Sequence, residues 1–163
     1  MVLIAGALGT AFLAACGGST GGSDQFRDAT DSPLLDFGEE SSDAELEEAT
    51  EAVHSFFGAR SREAWPVACA QLSRAMLAKI EHLATSATDL ADKSCPSFLG
   101  AFTSLTDQER RESTVVAAGG SLWEQGDHAF LIYRGAHEVV YAMPLTREGD
   151  AWKLASLSSK SLS

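Results

Sequence analysis

Basic residues are scarce in this chain. Its 163 residues include 12 Lys and Arg against 23 Asp and Glu, which gives a formal net charge of −11. Nucleic-acid binding depends on clustered basic side chains, so this balance argues against a nucleic-acid partner. The same deficit argues against electrostatic attraction to anionic lipid head groups. A membrane link must then come from an anchor and not from surface charge.

The sequence also lacks the short motifs of common catalytic and nucleotide-binding sites. It contains no Gly-x-Ser-x-Gly elbow and no phosphate-binding glycine loop, and Gly119-Gly120 is better interpreted as a bulge or turn. No His or Cys lies at ligand spacing beside Cys69 or Cys95, so we expect neither a metal site nor a cofactor. His128 and His137 flank one predicted hairpin, where a metal pair or a pH switch is a minor alternative to two solvated side chains.

Only one long uncharged and mostly apolar run occurs, at residues 2–13. Twelve residues are too few to span a bilayer as a helix, but they fit the apolar core of a signal peptide. The small-residue site Leu13-Ala14-Ala15-Cys16 ends the run, and a Gly/Ser-rich segment follows it. Because no Lys or Arg precedes the run, we expect the true start to lie upstream of Met1. The alternative is a buried core segment with a structural Cys16.

This order of features resembles a bacterial lipoprotein signal with its lipobox. The resemblance implies that residues 1–15 are removed as a signal peptide and that the Cys16 thiol is lipidated. An ordinary signal peptidase prefers a small residue where Leu13 lies, which favours the lipoprotein peptidase. Two or more acyl chains give stable anchoring. We therefore expect a lipid-anchored protein on the extracytoplasmic face of the cell membrane, with Cys16 as its membrane contact.

The chain has three cysteines. If Cys16 is lipidated, Cys69 and Cys95 remain. An even pair in an exported chain indicates a disulfide, and two free buried thiols are the alternative.

Residues 16–41 are predicted to form a flexible, acidic Gly/Ser tether, because they contain too few apolar residues to repay the entropy of ordering. As a coil, such a segment spans about 25–30 Å. Its apolar cluster, Leu34-Leu35-Asp36-Phe37, either docks on the domain or a partner or is simply exposed in a linker; the second interpretation is the simpler. Residues 42–163 have the length of a single domain.

Helical periodicity occupies the first half of this domain. The capping box Ser42-Asp43-Ala44-Glu45 begins the first helix, and Gly58 is expected to end it as a left-handed cap. A second helix is predicted at about 62–72, with Pro66 in its first turn. Another helix, which continues to about residue 84, and a short helix opening at Cys95 follow, and the charged stretch 107–112 is predicted to be a helical turn.

Alternation typical of strands begins at Thr114. The predicted strands are 114–118 extended toward Trp123, 128–134, 138–145 and 151–157, with turns at 124–127 and 147–150. Helices followed by antiparallel strands indicate an α+β domain whose helices pack on one face of a curved sheet.

The order of elements resembles the nuclear transport factor two-like, or cystatin-like, cone fold. The stretches Glu124-Gln125-Gly126-Asp127-His128-Ala129 and Met143-Pro144-Leu145-Thr146-Arg147-Glu148-Gly149-Asp150-Ala151-Trp152-Lys153-Leu154 look like the closing hairpins of such domains. Ala68-Cys69-Ala70-Gln71-Leu72 with the later Cys95 is similar to small actinobacterial lipoproteins of this fold. The resemblance implies a fold and no single activity, because isomerases, cyclases, transport adaptors and inert domains share it.

The expected function is a non-catalytic domain of the cell envelope that binds a small apolar ligand or an envelope protein. An isomerase- or cyclase-like enzyme on the same cone is the alternative. No strand places a carboxylate beside Tyr133 or Tyr141, so no catalytic residue is predicted, and an inward tyrosine should pair with a backbone group, a hydroxyl or water. An ordinary packed core between helices and sheet is the favoured role of the aromatic residues, and a pocket is the alternative. The candidate pocket-lining residues are Trp65, Phe102, Phe130, Tyr133, Tyr141 and Trp152.

Overall fold

The computed structural model describes residues 37–87, 90, 92–102 and 120–162. Within these residues, four α-helices pack with an open antiparallel sheet of six strands, which confirms the predicted α+β class. The helices are α1 (Asp43–Ser61), α2 (Trp65–Ala70), α3 (Arg74–Ser86) and α4 (Cys95–Phe102). The strands are β1 (Glu39–Glu40), β2 (Ser121–Gln125), β3 (His128–Arg134), β4 (Val140–Glu148), β5 (Ala151–Leu154) and β6 (Lys160–Ser161).

Helix α1 begins where the capping box predicts. Ser42 is the N-cap, and its hydroxyl oxygen accepts a hydrogen bond from the Glu45 backbone N–H at 3.4 Å. The Glu45 carboxylate does not complete the box, because it accepts hydrogen bonds from the sheet instead. The helix start is thereby joined to the strands.

The predicted end of α1 at Gly58 is wrong. The helix continues to Ser61, and the left-handed residue after it is Glu63, with φ of 58°. Two hydrogen bonds close the helix, from the Ala64 N–H to the Ala59 carbonyl at 2.9 Å and from the Glu63 N–H to the Arg60 carbonyl at 3.1 Å. This is a Schellman ending whose left-handed position holds Glu63 instead of the usual glycine, so the sequence carries no glycine signal there.

The second predicted helix, 62–72, is shorter than expected at both ends. Helix α2 covers only Trp65–Ala70, with Pro66 in its first turn as predicted. Leu72 then leaves the helix to bridge Leu154 of β5, with the Ser73 N–H donating to the Leu154 carbonyl at 2.9 Å. The buried Ser73 hydroxyl caps the start of α3 by accepting from the Met76 N–H at 3.1 Å.

The sheet has the strand order β1-β2-β3-β4-β5, and β6 pairs with β4. The predicted strand 138–145 corresponds to β4, which lies slightly later in the chain. A 3-10 turn at Ala136–Glu138 delays its start, and its last residue is Glu148. The last long strand ends at Leu154, three residues before its predicted end. The predicted strand 114–118 and the predicted helical turn 107–112 lie outside the described residues.

One face of the sheet packs against the helices and carries the main core. Cross-strand pairing sets Leu122, Leu131 and Met143 in one row and Ala129, Leu145 and Leu154 in the next. Helix α1 contributes Val53 and Phe56, both 0% exposed, to the same core. Burial of such side chains is the main favourable term in folding.

The predicted disulfide between Cys69 and Cys95 is confirmed. It links α2 to the first residue of α4, with a Cα–Cα distance of 6.2 Å, inside the usual range for a bridge. Both cysteines are buried against the core. The bridge therefore holds α4 on the helical layer.

We expect the double substitution Cys69→Ser/Cys95→Ser to lower the free energy of unfolding by about 3 kcal/mol, because the loop closed by the bridge regains its entropy in the unfolded chain. Urea unfolding of the two proteins measures the difference. Alkylation of the parent protein before intact-mass measurement is the control. Uptake of label at both cysteines without reductant would contradict the bridge.

Candidate functional site

A cleft of about 560 Å³ lies between α1 and the turn that joins β4 to β5. Acidic side chains dominate its charged lining: Glu47, Glu48 and Glu51 come from α1 and Asp150 comes from the turn. Clefts of this volume are within the range that accommodates small ligands or peptide side chains. The remaining lining residues are Ala44, Ala52, Gln71, Ala151, Trp152 and Lys153.

Helical geometry gathers the three glutamates along the cleft. Glu47 and Glu51 are four residues apart and therefore neighbours on one face, where their like charges oppose helix formation by about 0.2–0.5 kcal/mol. Lys153 is the cation among the lining residues, and its Nζ donates to the Ala70 carbonyl at 2.8 Å. Four carboxylates against one ammonium make the cleft attractive to cations.

Trp152 forms the buried wall of the cleft and is fixed by a three-residue network. Its indole Nε1 donates to the Glu45 carboxylate at 2.9 Å, and the same carboxylate oxygen accepts from the Arg147 guanidinium. The guanidinium carbon of Arg147 lies 4.3 Å from the centroid of the Trp152 ring, in a cation–π contact. Charge-assisted hydrogen bonds of this kind are stronger than neutral ones. The first turn of α1 is thus joined to the β4–β5 hairpin at the cleft.

The aromatic residues considered as pocket-lining lie in separate parts of the domain. Trp152 lines the cleft, whereas Tyr133 and Tyr141 stack on each other across β3 and β4 with centroids 5.7 Å apart. Phe130 lies on the opposite face of the sheet from these three, against Phe37.

The remaining two predicted aromatics belong to the helical layer. Trp65 begins α2, and a Cβ at Gly100 of α4 would lie 3.2 Å from its indole Nε1. Phe102 ends α4 with 59% of its surface exposed. The six residues therefore do not share one pocket.

The Tyr133 hydroxyl pairs with the Ser159 hydroxyl, which confirms the predicted kind of partner. Burial raises the pKa of the Tyr133 phenol above its usual range; the Ser159 hydrogen bond lowers it, and the neighbouring Tyr141 raises it further. A phenol whose pKa is raised in this way stays protonated at neutral pH.

Side chains fill the space between α1 and the sheet. Phe56, Leu131, Met143, Leu145 and Leu154 are each 1% exposed or less. Interiors packed in this way leave little room for a ligand. The cleft lies beside this core, on the surface.

The two histidines expected to flank one hairpin do not face each other. His128 pairs across the ladder with Thr146, whereas His137 lies in the 3-10 turn with φ of 59°. Within residues 37–87, 90, 92–102 and 120–162, no group of three or more His, Cys, Asp or Glu side chains is arranged to hold a metal ion.

The cleft was not predicted from the sequence. Asp150 lies in the predicted turn 147–150, but no local signal places this turn beside Glu47, Glu48 and Glu51 of α1. Their meeting depends on how the hairpin packs on α1, for which the sequence offers one signal: Glu45, at the helix start, with Arg147 and Trp152 in the hairpin.

Comparisons with protein-family models, with curated proteins and with solved structures find no match for this chain. Among the helices that the structure describes, none has the length and apolar character needed to cross a membrane.

We expect Glu45→Ala to lower the free energy of unfolding by about 1–3 kcal/mol, because the Trp152 N–H and the Arg147 guanidinium lose their common acceptor. Thermal or urea unfolding measures the change. Glu48→Ala is the matched control, since Glu48 is an exposed glutamate on the same helix, and its effect should stay within about 0.5 kcal/mol. Equal effects of the two substitutions would show that the network contributes nothing specific.

Proposed function

We propose that the chain is a lipid-anchored, extracytoplasmic lipoprotein of the cell envelope, with lipid on Cys16. The observation that carries the proposal is the Cys69–Cys95 disulfide, because such bridges persist in oxidising compartments outside the cytoplasm. With those two cysteines paired, Cys16 is the remaining thiol of the three. It follows directly on the apolar run and the small-residue site that a signal for lipidation requires.

Within this proposal, the domain is a variant of the nuclear transport factor two-like fold. The order of helices before the β2–β5 meander supports it, as does the closing hairpin with Trp152 and Lys153. The fold by itself assigns no activity.

The domain's role, we infer, is to bind a protein of the envelope through a basic segment and not to catalyse a reaction. The filled space between α1 and the sheet supports protein binding over capture of a small apolar ligand inside a cone. The acidic cleft supplies a concave surface of suitable charge. The pairing of Tyr133 with Ser159 supports the absence of an isomerase-like tyrosine–carboxylate pair at that position.

The anchor is tested by Cys16→Ala. Because a net charge of −11 disfavours binding to an anionic membrane, the variant should move from the membrane fraction to the soluble fraction. Fractionation followed by a carbonate wash measures this. A variant that still sediments with membranes after the wash would contradict lipidation at Cys16.

The cleft is tested with a lysine-rich peptide as a probe. The triple variant Glu47→Gln/Glu51→Gln/Asp150→Asn should bind the peptide about tenfold more weakly at low salt, since each charge contributes on the order of 1 kcal/mol or less near the surface. The matched control, Glu39→Gln/Glu40→Gln/Glu81→Gln, removes the same charge from exposed acids outside the lining. Equal weakening in both variants would mean that binding follows net charge and not the cleft.

A further inference from the structure

Lys153 differs in charge from the other ionisable residues that line the cleft. Those four residues are acidic and exposed: Glu47, Glu48, Glu51 and Asp150. Lys153 is half-buried, and its Nζ donates a hydrogen bond to the Ala70 carbonyl at 2.8 Å. The acidic cleft thus already contains one ammonium group, which the chain itself supplies.

The fold places the acceptor of this hydrogen bond within reach of Lys153. Leu72 bridges Leu154 of β5, and the Leu154 N–H donates to the Gln71 carbonyl at 2.9 Å, which fixes the end of α2 beside the strand. Ala70 is the last residue of α2, so its carbonyl accepts no hydrogen bond within the helix. Lys153 reaches this carbonyl with its flexible four-carbon stem. A backbone oxygen at the margin of an acidic cleft therefore defines a position for an ammonium.

The carboxylates of the cleft are not neutralised by contact with a cation. None of the ion pairs found among residues 37–87, 90, 92–102 and 120–162 includes Glu47, Glu48, Glu51 or Asp150. Lys153 bonds to the carbonyl and not to one of these side chains. The four negative charges remain available to further cations, whereas the position at Ala70 is filled.

We propose that Lys153 is an internal occupant of the cleft, which a basic side chain of the partner displaces from the Ala70 carbonyl. This inference rests on the proposed binding of a basic segment. The exchange is nearly balanced, because the entering side chain forms the same kind of charge-assisted hydrogen bond that Lys153 gives up. Attraction between the partner's remaining charges and the four carboxylates then decides whether the partner binds.

An internal occupant makes the cleft selective for clustered basic residues. An isolated lysine gains little by entering, since it only replaces an ammonium that is already bound. A segment with several adjacent lysines or arginines gains more, because one of them takes the Ala70 carbonyl and the others approach the carboxylates. The expected partner therefore presents consecutive basic residues.

Substitution of Lys153 tests the proposal with the lysine-rich peptide as the probe. Lys153→Met should bind the peptide about tenfold more tightly, because no internal ammonium has to be displaced and one opposing charge is removed. The matched control is Lys79→Met, which removes the same charge from an exposed residue of α3 outside the cleft lining. Its affinity should change by less than about threefold, since a distant surface charge is screened by salt. Lys153→Arg keeps the charge and the donors and should bind as the parent does.

Displacement has a second signature, in the reactivity of the Lys153 amine. Limited acetylation, digestion and mass spectrometry give the ratio of modification at Lys153 to that at Lys79. A saturating concentration of the peptide should raise this ratio about tenfold, because the Lys153 ammonium loses its hydrogen-bond acceptor. An unchanged ratio, or a fall because the peptide only covers Lys153, would overturn displacement.

The affinities separate failure of this inference from failure of the proposed function. Equal affinities of Lys153→Met and Lys79→Met, in a protein that binds the peptide, would overturn the role of Lys153 and leave the cleft as the binding surface. Absence of binding by both the parent and Lys153→Met would contradict the proposed function, and this inference with it.

Discussion

The antiparallel ladder between β3 and β4 is the constraint on which the rest of this domain depends. Its seven pairs run from His128 with Thr146 to Arg134 with Val140. β2 attaches to one side of the ladder, and β5 and β6 attach to the other. Because side chains alternate between faces, a slip of one residue would turn Leu131 and Met143 out of the core. The core and the cleft both follow from this one register.

The register also explains how the cleft is built. Leu145 pairs with Leu154 and Arg147 with Trp152, so the indole and the guanidinium meet on the helical side of the sheet. There both donate to Glu45 in the first turn of α1. That contact fixes the turn containing Asp150 beside the helix that carries Glu47 and Glu51. The acidic surface is therefore a product of packing between distant parts of the chain.

Much of the fold could be predicted because its signals are local. The Ser42 cap, Pro66 in a first turn and the alternation of 128–134 act within a few residues, and each appears as expected. The end of α1 was missed because Glu63 adopts a left-handed conformation that is usual for glycine. The end of α2 was placed two residues late because Leu72 pairs with Leu154, a contact far away in sequence.

The candidate site was less predictable, for the same physical reason. The cysteine pair was predicted because two thiols in a chain expected to be exported most often form a disulfide. The cleft could not be predicted in this way, because it depends on how the helix and the hairpin pack together. Phe130 shows the limit most clearly. Its aromatic character suggested a pocket beside Tyr133, but the odd spacing between residues 130 and 133 places the two rings on opposite faces of the sheet. The Phe130 ring instead packs against the ring of Phe37, a residue in the segment that the composition predicts to be a flexible tether.

The central claim of this account is that an oxidised domain is attached to a membrane by lipid on Cys16. Intact-mass measurement of the protein extracted from the membranes of the cells that make it tests this most directly. The account predicts a chain that begins at Cys16, carries the added mass of its acyl chains and lacks the two hydrogens of a reduced Cys69–Cys95 pair. A chain with an unmodified Cys16 thiol, or one that retains residues 1–15, would contradict it.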